Sequence, residues 1–173
     1  MEVKYKGQSY TLGKKIRKVG GEAPACRVKM LNDETKIIGM MATKTQIMIA
    51  LPNIKDFNNG LFDILKAYKE KTIVYIITSS SEKDIQKVND MFHLHEGFIS
   101  TEFSDFAPKF GVSMNDELLA KGLFIIDKEG VFKYAEVPSN VEGRFDLQSF
   151  EMALDETINF KQKGHVHENW MGA

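Results

Sequence analysis

Two stretches of the chain are apolar at nearly every position, and each is followed by a segment with helical spacing. The first stretch is 47–51 and the second is 72–78. Continuous apolar runs of this length are typical of central strands covered on both faces. Apolar residues then recur every three or four positions over 60–69 and 82–92, the second run being preceded by capping serines. The pattern predicts strand, helix, strand, helix.

Other segments alternate apolar and polar residues around turns, which is typical of antiparallel strands. Gly130 ends a short polar loop between 122–126 and 131–135, and Gly7 lies between 3–6 and 9–12. Both are hairpin signals. Further strands are predicted over 27–31, 36–40 and 98–100, a short helix around Phe106 that Gly111 closes, and a C-terminal helix from Phe150 to Lys161.

This order of elements predicts the fold class. Strands joined through helices run parallel, whereas the late hairpin adds antiparallel strands. We therefore expect an α/β protein with a mixed central sheet, helices on both faces and an N-terminal β-hairpin. No repeat or linker divides the chain, so we expect one domain over 1–173, with a hairpin extension at 1–22 and a polar tail at 163–173.

Composition excludes several function classes. The 173 residues carry a formal net charge of -1, so no global field recruits nucleic acid or an anionic membrane. Cys26 is the only cysteine, which excludes an internal disulfide and a cysteine-based zinc cluster and favours a reducing compartment. No signal peptide precedes the first strand, and we expect a cytoplasmic protein.

Several short motifs occur in a shared order along nearly the whole chain. Val19 to Pro24 is similar to a "VGDxAP" segment, Phe110-Gly111-Val112 matches "FGV", and Leu119 to Asp127 is similar to "LARxxFVLD". With Leu51-Pro52 between them, they resemble the thiol peroxidase branch of the peroxiredoxins. The resemblance implies a thioredoxin-like fold, thioredoxin-dependent peroxidase activity without a bound cofactor, and a homodimer.

The departures from that branch fall on its chemistry. Its signature is Pro-x-x-x-Thr-x-x-Cys, with an arginine from the later "LAR" segment. Pro52 matches, but Asp56 stands at the threonine position, Asn59 at the peroxidatic cysteine and Lys121 at the arginine. The resolving cysteine would fall near 88–90, where the chain has none. The resemblance therefore implies a vestigial peroxidatic pocket of Pro52, Asp56, Asn59 and Lys121, with no catalytic residue.

Each replacement removes a chemical capacity. Asn59 cannot form the thiolate that reacts with a peroxide. Asp56 is an anion that would raise a neighbouring thiol's pKa, and Lys121 lacks the planar fork of arginine. Asp56 and Lys121 could instead pair with each other. The asparagines at 58 and 59 could cap the following helix, or Asn59 and the helix start could bind a small polar ligand or anion.

Three other features remain, and the first two have two interpretations each. Cys26 is either a half-buried, inert thiol or a relocated redox thiol whose pKa Arg27 and Lys29 could lower. The pairs His93/His95 and His165/His167, with Glu96 and Glu168, could hold a transition metal, but four histidines without a fixed third ligand favour no metal site. The third feature, Trp170, is interpreted as part of a tail that docks on a neighbouring surface.

The sequence thus supports three function hypotheses. The leading one is a catalytically degenerate thiol peroxidase homologue, a homodimer that acts as a binding or regulatory protein in a redox or stress context. The second is a redox enzyme that uses Cys26, with thioredoxin as reductant. The third is a purely structural, stress-associated protein with no small ligand. No nucleic-acid or membrane partner is expected.

Overall fold

The structure is a computed structural model that describes residues 1–13 and 17–172, with the side chains of the last helix described to residue 159. Its strands are β1 (Glu2–Tyr5), β2 (Gln8–Thr11), β3 (Ala25–Lys29), β4 (Thr35–Gly39), β5 (Thr45–Leu51), β6 (Thr72–Thr78), β7 (Ile99–Ser100), β8 (Ser113–Asn115), β9 (Leu118–Leu119), β10 (Gly122–Ile126) and β11 (Phe132–Glu136). Its helices are α1 (Asn59–Ala67), α2 (Glu82–Phe92), α3 (Phe106–Lys109) and α4 (Leu147–Gly172), with 3-10 turns at Ile54–Asp56, Lys69–Lys71 and Glu96–Phe98.

The predicted mixed sheet is confirmed. It has five strands in the order β11-β10-β5-β6-β7. Strands β5, β6 and β7 run parallel, whereas β10 runs antiparallel to both β5 and β11. The parallel register places Ile47 opposite Val74, and the antiparallel register places Gly122 opposite Ala50. The N-terminal hairpin forms as β1 and β2.

Alternate side chains of β5 enter two separate apolar clusters, one on each face of the sheet. Ile47, Ile49 and Leu51 pack with residues of α1, α2 and α4. Met48 and Ala50 face the other way, toward α3 and the hairpins β1-β2, β3-β4 and β8-β9. Helices therefore cover both faces, as predicted, but on the second face the short α3 shares that role with hairpins.

Several local predictions differ from the structure. The hairpin of β8 and β9 was not predicted, because segments of two and three residues are too short for a periodic signal. Helix α4 continues past Lys161 to Gly172, so most of the predicted polar tail is helical; no proline interrupts it. The side chains of His165, His167 and Trp170 lie outside the described residues, as do positions 14–16. The boundaries at 22 and 163 stay predictions.

Candidate functional site

The candidate site lies at the edge of the sheet where the parallel strands end. Leu51 and Thr78 are register partners, so the loops that follow β5 and β6 meet there. The Ser79 Oγ donates to the Pro52 carbonyl at 2.9 Å, and the Ser80 Oγ accepts from the Ile54 backbone N–H at 2.8 Å. These two serines fix the loop that begins at Pro52.

Two asparagines set the conformation of that loop. The Asn53 Oδ1 accepts from the Lys55 backbone N–H at 3.1 Å and caps the 3-10 turn. The Asn58 Oδ1 accepts from the Leu61 backbone N–H at 2.9 Å and caps α1. Short polar side chains are favoured at these positions because they satisfy helix N–H groups that have no partner within the helix. Of the two predicted capping residues at 58 and 59, Asn58 is the cap.

Asn59 is the first residue of α1, and its side chain is exposed. Within the described part of the chain it accepts and donates no side-chain hydrogen bond. Asn59 therefore lies at a helix N-terminus, in the position that the family resemblance assigns to the reactive cysteine. None of the contacts described above gives its side chain a structural role. An amide at this position can donate and accept hydrogen bonds, but it supplies neither a nucleophile nor a general base.

Lys121 reaches the same edge from the strand that pairs with β5 on the side away from β6. It directly precedes Gly122, which lies opposite Ala50 near the end of β5. Its Nζ donates to the Asp56 Oδ2 at 3.2 Å and to the Gly143 carbonyl at 2.6 Å, and lies 5.2 Å from the centre of the Phe145 ring. The Lys121 side chain is 4% exposed and that of Asp56 is 40% exposed. The structure therefore contains the ion pair between Asp56 and Lys121, which the sequence suggested as one possible arrangement of these two residues.

This pairing limits what the site can bind. A cation that orients a peroxide or holds an anion must present its charge to the ligand. The Lys121 ammonium is directed at a carboxylate, a backbone carbonyl and an aromatic face, and it is almost fully covered. Asp56 adds a negative charge three residues before the start of α1, which opposes anion binding at that helix N-terminus. The arrangement is a closed ion pair rather than an open binding pocket.

Cys26 lies away from this site, in β3 and on the opposite face of the sheet from α1. Its side chain is 1% exposed, not half-buried as predicted. Burial, with a smaller contribution from Asp105, raises the pKa of the thiol from 9.0 to about 12. The cations that oppose this shift are Lys109 and Arg17, not Arg27 and Lys29, and the pKa is raised rather than lowered as the interpretation of a relocated redox thiol required. A thiol of this kind is unreactive.

The histidine pair that the structure describes has structural roles. His93 ends α2 in the left-handed conformation, with φ of 54°, and the His95 Nδ1 accepts from the Gly97 backbone N–H at 2.9 Å. Among the residues the structure describes, no three histidine, cysteine or acidic side chains form a possible metal site. No helix in the described part of the chain is long and apolar enough to cross a membrane.

Sequence reasoning missed a second feature, an apolar groove of about 590 Å³ beside α1. A continuous apolar strand predicts burial on both faces, so the pattern of β6 gave no sign that part of it is open. The groove is lined by Lys44, Phe57, Phe62, Leu65, Lys66, Lys69, Thr72, Ile73, Val74, Ile76, Phe92, His93, Leu94, His95, Phe98 and Ile99.

Comparison with known proteins relates the chain to peroxidases along most of its length. No protein-family model matches it. A thiol peroxidase of Aquifex aeolicus (strain VF5) is 26% identical over 167 residues, which cover 91% of this chain and 94% of the relative. The relation therefore extends over both strand-helix units and the late hairpin, not over one motif.

Solved structures agree on the fold. A peroxiredoxin-like protein from Aquifex aeolicus superposes with a TM-score of 0.74 at 23% identity, covering 90% of this chain and 96% of that one. A thiol peroxidase from Chromobacterium violaceum gives a TM-score of 0.72 at 17% identity, with the same coverage of the two chains. The solved structures show a shared thioredoxin-like fold, and the sequence relation supports an assignment to the thiol peroxidase/peroxiredoxin family.

Proposed function

We propose that this protein is a catalytically degenerate thiol peroxidase homologue that acts by binding, in a redox or stress context. The observation that carries the proposal is the pairing of Lys121 with Asp56, three residues before an Asn59 that has no thiol. The position at which the family resemblance expects a peroxide-orienting arginine holds a covered ammonium. The position at which it expects a nucleophile holds an amide.

The contacts of Lys121 support a protein-binding or scaffolding role more than small-ligand binding in this pocket. A ligand in the pocket would have to displace the Gly143 carbonyl or the Asp56 carboxylate from the ammonium, and each displaced group would need a new partner. The serine and asparagine contacts of the loop need no thiol, so the conformation of the loop and the start of α1 can persist without peroxidase chemistry.

The second hypothesis, a redox enzyme that uses Cys26, has no support from the thiol's surroundings. Its side chain is 1% exposed, and the pKa near 12 leaves almost no thiolate at neutral pH. A thioredoxin could not approach the sulfur without local unfolding of the β3-β4 hairpin.

A peroxide turnover assay with thioredoxin and its reductase tests the proposed function. Hydrogen peroxide and an organic hydroperoxide should be consumed no faster by the native chain than by buffer with the reductase system alone. The Cys26→Ser variant should give the same background rate. Turnover above background that Cys26→Ser abolishes would overturn the proposal in favour of the redox enzyme.

Homodimer formation is part of the proposal and rests on the family relation. Sedimentation velocity at micromolar concentration should show a species of twice the chain mass of 19.6 kDa. A monomer over the whole concentration range would remove the homodimer from the proposal and leave the loss of catalysis untouched.

A further inference from the structure

The groove beside α1 exists because one side of β6 is only half paired. Strand β5 pairs with β6 along its whole length, but β7 pairs with Ile76 and Ile77 alone. On the β7 side, no strand in the described part of the chain lies beside the first half of β6. Ile73 and Val74 are only partly buried there, although β6 lies inside the sheet. Helix α1 and the segment after α2 form the two walls, and the space between them is about 590 Å³. Cavities of this size accommodate small organic ligands.

One end of the groove is aromatic. The centre of the Phe92 ring lies 5.0 Å from that of Phe57 and 5.1 Å from that of Phe62. Phe57 belongs to the loop that follows β5, so this trio lies toward the edge where the parallel strands end. Leu94 and Val74 extend the apolar surface along the groove. A flexible hydrocarbon chain is the simplest ligand that matches such a surface.

The other end of the groove is cationic. Lys44 directly precedes Thr45, which is the register partner of Thr72, and Lys69 begins the turn that leads into Thr72. Lys66 lies one turn earlier on α1. All three lysines are exposed, and none of them forms an ion pair within the described residues. They therefore meet at the edge where the parallel strands begin, opposite the aromatic end.

The charge of the lining is entirely of one sign. Among the described residues, three lysines and two histidines line the groove, and no aspartate or glutamate does. The chain as a whole has a net charge of -1, so this separation of charge is local to the groove. Unpaired ammonium groups beside an apolar surface favour a ligand that brings its own negative charge.

From this polarity we infer that the groove binds a linear anionic amphiphile, an unbranched alkyl chain that ends in a carboxylate. The carboxylate lies among Lys44, Lys66 and Lys69, and the chain runs along β6 toward the phenylalanine trio. This site is separate from the Asp56–Lys121 pair, and it does not depend on whether peroxide chemistry has been lost. Peroxide turnover and amphiphile binding are measured independently, so either can fail without the other.

Calorimetric titration with octanoate, decanoate and dodecanoate, each below its micelle-forming concentration, tests the inference. Affinity should rise with chain length, by up to about fourfold for each methylene group that enters the apolar surface. Decanol, which has the same chain without the charge, should bind more weakly than decanoate. Decanoate binding should weaken as salt is added, because exposed charge pairs are screened.

Two variants test the contributions of the charged end and the apolar floor of the groove separately. Lys66→Glu/Lys69→Glu should weaken decanoate binding by about tenfold or more, since two attractive charges become repulsive. The matched control is Lys83→Glu/Lys87→Glu, which makes the same charge change at exposed positions of α2 outside the groove and should leave the affinity unchanged. Val74→Trp keeps every cation and fills the floor of the groove, and it should also reduce binding.

Several outcomes would overturn the inference. One is equal affinity for decanol and decanoate, and another is equal weakening in the two double variants. A third is binding to vesicles that contain an anionic phospholipid, without binding of the monomeric carboxylates. A fourth outcome concerns a dimer. If the native protein sediments as a dimer, if Phe62→Glu converts it to a monomer, and if decanoate does not dissociate it, then a second copy of the chain occupies the groove.

Discussion

Lys121 donates from its Nζ to the Asp56 Oδ2 across 3.2 Å, although the two residues are 65 positions apart in the chain. The contact joins the loop after β5 to the segment that precedes β10. It is asymmetric, because Lys121 is 4% exposed whereas Asp56 is 40% exposed. The buried Lys121 ammonium depends on hydrogen-bond partners within the protein, whereas water can hydrogen-bond to the more exposed Asp56 carboxylate. The two residues should therefore respond differently to substitution.

Lys121→Met should lower the free energy of unfolding by about 1–3 kcal/mol, because the Gly143 carbonyl loses its donor. Asp56→Asn should lower it by less, under about 1 kcal/mol, since the amide keeps an acceptor oxygen and the site is partly solvated. Urea unfolding followed by circular dichroism measures both. Lys55→Met removes an exposed ion pair with Asp84 and serves as the control, with an expected change within about 0.5 kcal/mol. Equal effects of Lys121→Met and Lys55→Met would contradict the structural role of Lys121.

Substitutions of the two neighbouring asparagines should also differ in their effect on stability. Asn58→Ala removes the cap of α1 and should cost about 1 kcal/mol, which lowers the melting temperature by roughly 2–4 °C in a chain of this length. Asn59→Ala changes an exposed side chain without a hydrogen-bond partner in the described chain and should have no measurable effect. Thermal unfolding of the two variants under one set of conditions provides the comparison. A larger loss for Asn59→Ala would show that Asn59 makes a structural contact that the contacts described above do not include.

The sequence predicted the central strands well, because their apolar runs report burial directly. The runs 47–51 and 72–78 correspond to β5 and β6, and the capping serines at 79–81 precede α2, where Ser81 is the cap. Periodicity could not distinguish the two faces of the sheet, since hairpins and helices both bury one side of a strand. It therefore did not predict that hairpins cover the face on which Cys26 lies.

The candidate site was predictable in part for a similar reason. The residue types at 56, 59 and 121 predicted the loss of peroxide chemistry before any contact was known. The covering of Lys121 depends on the Gly143 carbonyl and the Phe145 ring, in a segment without a periodic pattern. The groove depends on how far β7 extends along β6, and two residues of pairing leave no mark in the sequence.

Buried Cys26 should make the protein sensitive to alkali. Its pKa rises from 9.0 to about 12 on folding, so the folded chain keeps the thiol proton where the unfolded chain has released it. The stability that this thiol contributes is complete below pH 9 and is lost as pH rises toward 12, at about 1.4 kcal/mol per pH unit at most. Cys26→Ala should remove that part of the slope when unfolding is measured between pH 8 and 11.

A residual slope should remain in Cys26→Ala at the upper end of that range. Burial, and then the hydrogen bond that the Tyr134 hydroxyl donates to Glu136, raises the pKa of this tyrosine as well. The unfolded chain therefore ionises the phenol first, and stability again falls as pH rises above its ordinary pKa of about 10. Tyr134→Phe supplies the matched control. A native chain whose stability is flat from pH 8 to 11 would contradict both assignments.

Restoring the family's reactive residues should restore reactivity only when the whole network is restored. In Asn59→Cys the new thiol lies at the exposed N-terminus of α1, which favours a thiolate, but the Asp56 carboxylate three residues earlier opposes it. Lys121 stays engaged with Asp56 and Gly143 and is not free to hold a peroxide. The single variant should therefore react with hydrogen peroxide no faster than an ordinary exposed thiol.

The triple variant Asp56→Thr/Asn59→Cys/Lys121→Arg removes the anion, supplies a hydroxyl and replaces the ammonium with a guanidinium that can donate to two oxygens at once. Its thiolate fraction at neutral pH should rise by about tenfold or more, since a decrease of one pKa unit has that effect. Trapping the sulfenic acid with dimedone and quantifying it by mass spectrometry measures the reaction. Buried Cys26 is an internal control in every sample and should stay unmodified. If the single variant reacts as fast as the triple variant, Asp56 and Lys121 do not restrain the thiol, and replacement of the cysteine alone accounts for the proposed loss of activity.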